Sequence, residues 1–147
     1  MKLLFVLLLL LFSNAAFAKT VCVCDIAEDV RDHWLWVGCK AKQMLNSCDI
    51  QTSVKHGDFA QLNSELRDKL QKGDTLRITY LGHWGMYRTL PYIDEFLVPL
   101  ASNYKIDIIY ENTGCLSMEK PKDVQAHLSS LKLQDSSISI MGNPFFR

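Results

Sequence analysis

The chain has 147 residues, 16 basic and 16 acidic side chains, 48% hydrophobic residues and five cysteines. A neutral balance without a basic stripe or charge run gives no reason to expect a nucleic-acid partner. No internal repeat, long linker or low-complexity tract stands out, so a single domain is expected.

Residues 1–18 read as a secretory signal peptide. Lys2 supplies the positive start, Leu3–Phe12 a short apolar core, and Ala16-Phe17-Ala18 small residues at −3 and −1. The apolar run is too short for a membrane span. No Cys follows the cleavage point, so no lipid anchor is expected. The mature chain would begin at Lys19 and keep roughly 130 residues, enough for one α/β domain with a real core. Periplasm and full secretion are both open.

Export permits disulfides. Cys22 and Cys24 lie on one predicted strand, and Cys39 and Cys48 along a helix and its exit. Bonds between the first pair and the second are geometrically easier than bonds within either. The alternatives are five reduced thiols, or zinc bound by four of them at a weak spacing. Five is odd, and Cys115 is the natural one left over.

In chain order, Thr20–Ile26 is a β-rich first strand. A helix is expected over about 28–47, with Val30, Trp34, Val37, Ala41 and Leu45 on its apolar face. Asp49–Val54 reads as a polar edge strand. Asp58 caps a second helix with Gln61 three residues on, a capping-box arrangement, and Phe59, Leu62, Leu66 and Leu70 form its buried stripe. Gly73 ends that segment. Thr75–Leu81 is the third strand. Leu90–Asn103 is the third helix, in which Pro99 should cause a kink or an early end. Lys105–Glu111 is the fourth strand, Pro121–Leu131 the fourth helix, and Ser137–Met141 the fifth strand.

Five strands alternating with four helices imply βαβ units and a mostly parallel sheet with helices on both faces, a three-layer flavodoxin-like sandwich. Right-handed crossovers favour an order near 2-1-3-4-5. In such sheets chemistry sits beyond the carboxyl ends of the strands. Asp25, Gly82-His83-Trp84-Gly85 and Gly114-Cys115 all fall there. Adjacent strands lie about 4.8 Å apart, so an imidazole and a thiol could meet if strands three and four pair.

Leu76-Arg77-Ile78-Thr79-Tyr80-Leu81-Gly82-His83 and Ile106-Asp107-Ile108-Ile109-Tyr110-Glu111-Asn112-Thr113-Gly114-Cys115-Leu116-Ser117-Met118 resemble two blocks of the caspase, gingipain and legumain clan of cysteine peptidases. In that clan the catalytic His follows strand three and the catalytic Cys follows strand four. The resemblance implies a caspase-like fold and a cysteine hydrolase, with Cys115 as nucleophile and His83 as its base and acid. Asp25 or Glu111 would orient the imidazole. Backbone N–H groups near Gly82, Gly85 and Gly114 would hold the oxyanion, and Trp84 would either cover the sheet end or contact a peptide.

No cofactor is expected, and His33, His56 and His127 form no metal constellation with Asp32. Trp34 reads as core and Trp36 as half-exposed or an interface residue. A peptide or protein partner is expected, with the oligomeric state left open. The alternative is a non-catalytic exported binding protein on the same fold, such as an immunity, inhibitor or virulence-associated factor.

Overall fold

A computed structural model describes residues 17–26, 33–55, 58–81, 89–112 and 121–141. The elements are β1 (Thr20–Ile26), α1 (His33–Leu45), β2 (Ile50–Lys55), α2 (Phe59–Leu66), β3 (Thr75–Leu81), α3 (89–104), β4 (Asp107–Asn112), α4 (Pro121–Ser130) and β5 (Ser137–Met141). The five strands form one all-parallel sheet in the order β2-β1-β3-β4-β5, as the alternation predicts.

Connection handedness decides which face each helix covers. The step from β1 to β2 runs one way along the sheet, and every later step runs the other. Right-handed crossovers therefore set α1 alone on one face, with α2, α3 and α4 on the opposite face. The three-helix face carries the main apolar core. Val21 and Val23, Leu76, Ile78 and Tyr80, and Ile108 and Tyr110 alternate onto it. Leu62, Leu66, Ile93, Phe96, Leu97 and Val124 pack against them.

Local signals behave as physical chemistry requires at α2. Asp58 accepts the Gln61 N–H at 2.8 Å. The reciprocal half of the box is redirected, because Gln61 Oε1 accepts from Lys55 N–H instead, at 3.3 Å. Gly73 has φ 88°, the left-handed conformation its position calls for.

Pro99 does not end α3. The helix runs as α over Thr89–Tyr92, widens to a π turn over Ile93–Leu97 and returns to α over Val98–Tyr104. Pro99 cannot donate to the chain behind it. The π turn, in which Val98 N–H donates to Ile93 O, takes up that discontinuity. It also suits the buried pairs Tyr92-Ile93, Phe96-Leu97 and Leu100-Ala101, which repeat every four residues, more slowly than the 3.6 of an α-helix.

The orientation of α1 corrects the sequence expectation. Among its described side chains Cys39 and Gln43 are buried, whereas Val37, Ala41 and Leu45 face outward, Val37 being 39% exposed and Leu45 84%. At 3.6 residues per turn the expected stripe lies on the far side of the helix from Cys39. The cause is covalent. Cys24 is bonded to Cys39 and Cys22 to Cys48, with Cα separations of 6.1 and 5.8 Å. Both bonds run between the first cysteine pair and the second, and they draw the Cys39 side of the helix onto β1. Val30, Asp32 and His56, and the side chains of His33, Trp34 and Trp36, lie outside the described residues.

Candidate functional site

β3 and β4 are hydrogen-bonded parallel neighbours with Tyr80 opposite Asn112, and β1 lies on the other side of β3 with Asp25 opposite Tyr80. Asp25, Tyr80 and Asn112 thus form one row across the carboxyl-end rim. β3 ends at Leu81, directly before Gly82-His83-Trp84-Gly85, and β4 ends at Asn112, just ahead of Gly114-Cys115. Those six residues lie outside the described part of the chain. The gap between β1 and β3 is where the connections change direction, the topological switch point at which open α/β sheets bind ligands.

The two acidic candidates sit on opposite faces. Asp25 points to the three-helix side and is 3% exposed. Tyr92 Oη from α3 lies 3.5 Å from Asp25 Oδ2, the outer limit for such a bond. The phenol is aimed by its neighbours: the Tyr92 ring lies 5.0 Å from Tyr110, 5.2 Å from Phe96 and 5.8 Å from Phe59 between centroids. Phe59 in turn stacks on Phe96 at 4.4 Å. Three elements, α2, α3 and β4, therefore converge on the end of β1.

Glu111 points to the α1 side and is likewise 3% exposed. Arg77 Nη1 lies 2.6 Å from its Oε1 and Lys42 Nζ 2.6 Å from its Oε2. Thr79 Oγ1 donates to Oε2 at 3.4 Å. Each carboxylate oxygen is thus held by a cation, so Glu111 ties α1 to β3 and β4.

The sequence reading passed over Arg77, Lys42 and Tyr92. A signal was present for the first: Arg77 and Thr79 interrupt an apolar strand at alternate positions, which marks one polar sheet face. Tyr92 had none, since its role depends on how α3 crosses the sheet. His127 Nε2 lies 2.6 Å from Asp94 Oδ1, linking α4 to α3.

Fold and rim together define a doubly wound α/β protein, stapled by two disulfides. The chain matches no family model, no curated protein and no solved structure. Among the described residues, no helix is long and apolar enough to cross a membrane, and no group of three or more His, Cys, Asp or Glu side chains is placed to hold a metal ion.

Proposed function

We propose that this chain is an exported cysteine hydrolase acting on peptide bonds with a His83–Cys115 dyad. The observation that carries the reading is the pairing of β3 with β4, whose adjacent carboxyl ends lead directly into the two segments. Cys115, assisted by His83, attacks the scissile carbonyl, and His83 then protonates the leaving amine. Asp25 accepts from the imidazole and fixes its orientation. Backbone N–H groups beside Cys115 and around Gly82 and Gly85 receive the oxyanion. Removal of residues 1–18 and delivery to the periplasm or the exterior fit the two disulfides, which persist in oxidising compartments.

Native alkylation tests this directly. Cys115 should react with iodoacetamide near pH 6 far faster than free cysteine, and His83→Ala should slow it. A thiol that reacts only after unfolding would remove the hydrolase reading. That outcome would favour the second reading, a non-catalytic binding protein, which is supported by the outward apolar residues Val37, Met44 and Leu45 on α1.

A further inference from the structure

The opposite rim, where the strands begin, holds a buried carboxylate that the proposed chemistry does not use. Asp74 closes the turn before β3 and is 1% exposed. Its Oδ2 accepts the Gln71 N–H at 2.8 Å. Both other partners belong to Lys19. The Lys19 backbone N–H donates to Oδ1 at 3.0 Å, and Lys19 Nζ lies 3.0 Å from Oδ2. Strand register explains the meeting, since Thr20 pairs with Thr75 and Lys19 and Asp74 are the residues just before them. Thr75 N–H also donates to Lys19 O at 2.9 Å. Ahead of this point Phe17 and Ala18 are exposed, so the packed fold takes hold at Lys19.

We propose that cleavage of the Ala18–Lys19 bond turns the Lys19 amide into an α-ammonium group that Asp74 receives, so that processing itself fastens β1 to β3. The proposal rests on residues 1–18 being a removable leader. In the hydrolysis the Ala18 carbonyl carbon gains the hydroxyl of a water as its bond to Lys19 N breaks. The nitrogen takes the water's other proton and, at neutral pH, the proton released by the new Ala18 carboxyl group. The donor is already 3.0 Å from Oδ1, so a neutral bond becomes a charged one without rearrangement of the strand. Charge-assisted hydrogen bonds are roughly twice as strong as neutral ones.

The surroundings suit a positive terminus. Asp49 Oδ2 accepts the Thr20 N–H at 2.7 Å, placing a second carboxylate beside the start of β1. Of the other charged residues near this turn, Lys105 accepts the Gly73 N–H through its carbonyl and Asp107 donates its N–H to Asp74 O, while the Lys72 ammonium pairs with Asp135 and the Asp107 carboxylate accepts from Ser137 Oγ. Burial works to raise the Asp74 carboxyl, but the Lys19 N–H, the Lys19 ammonium and the Gln71 N–H outweigh it and hold the group below its usual range. An α-amino group titrates at about 7.7–8.0 when unpaired. Facing Asp74, its folded value rises above that. The stabilisation is then complete below about pH 8 and is lost as pH rises through the folded value.

The test exports the full chain, sequences the N-terminus of the product and follows its melting midpoint from about pH 6 to 10. The comparison is the same chain with Phe17 and Ala18 retained ahead of Lys19, and Asp74→Asn in both forms. The expected result is a first residue of Lys19 and a processed chain melting about 3–6 °C higher near neutral pH. That lead should vanish at the alkaline end and be absent in the Asp74→Asn pair. If Asp74→Asn does not fold, direct NMR titration of the wild-type α-amino group decides: a raised value supports the proposal and an ordinary one overturns it. A product beginning at Lys19 with no advantage over the extended form overturns the proposal and leaves the leader reading standing. A different first residue refutes the leader boundary and the proposal together.

Discussion

One face of the sheet buries Leu76, Ile78 and Ile108 beneath three helices, whereas the other buries Cys22, Cys24 and Glu111 beneath one. The first face is held by the transfer of apolar side chains from water, which is non-directional and cumulative. Among the described residues, the apolar cluster on the second face comprises Cys24, Cys39 and the partly buried Ile26. Two disulfides, the Arg77–Glu111–Lys42 ion pairs and the Gln43 amide hold this face. Gln43 Nε2 donates to Cys22 O at 3.3 Å and to Thr52 O at 3.2 Å. The difference teaches that a lone helix can be tied to a sheet by a few directional and covalent links, where three helices are held by a broad apolar core.

The largest effect should come from the three-helix face. Leu66→Ala should cost about 4 kcal/mol, read as a shifted denaturation midpoint, because the fully buried site cannot collapse around the void. A loss below about 1 kcal/mol would mean that this core is loosely packed.

Next comes the Cys24–Cys39 bond, which closes 15 residues. Replacing both cysteines with alanine should cost about 3 kcal/mol. The loss should be regional: hydrogen exchange in α1 should accelerate while the protected amides of β3 and β4 stay slow. Uniform acceleration would show that the two faces are not energetically distinct.

Glu111→Gln should follow at about 2 kcal/mol, since it leaves Arg77 and Lys42 without their counter-charge. The figure sits below that for fully buried pairs because Lys42 is 40% exposed and water screens it. Lys42→Met should cost well under 1 kcal/mol for the same reason. A Lys42 effect as large as that of Glu111 would break this ranking.

Smaller still for stability is Tyr92→Phe, which keeps the ring in its aromatic cluster and removes only the hydroxyl facing Asp25. Its cost should be about 1 kcal/mol or less. Its value lies in the rim: if Asp25 orients His83, the variant should slow Cys115 alkylation, and the change should not add to that of Asp25→Asn. Finally, Leu45→Glu should change stability by no more than about 0.5 kcal/mol, because the side chain is already 84% exposed.

Much of the fold was legible in the sequence because its signals are local. The period-2 strands, the Asp58 cap, the Gly73 stop and the alternation of strand and helix each need only a short window. With crossover handedness they favour the strand order found. The side of α1 that faces inward was not legible, because a stripe built on Val37, Ala41 and Leu45 looks more apolar than one built on Cys39 and Gln43. A disulfide to β1 outweighs that difference. The opposite facing of Asp25 and Glu111 was equally hidden: both stand next to last in a strand, and only alternation across paired strands sends them to opposite faces.

The sequence by itself determined the element order, the parallel sheet and the strand ends that flank His83 and Cys115, and it favoured bonds between the two cysteine pairs over bonds within them. These follow from periodicity, chain reach and chirality. Tertiary structure alone decided that Cys39 faces the sheet, that Glu111 is held by Arg77 and Lys42, and that Asp74 meets Lys19 from 55 residues away. Those outcomes depend on which distant groups the strand register brings within bonding distance, and no local pattern in a chain encodes that.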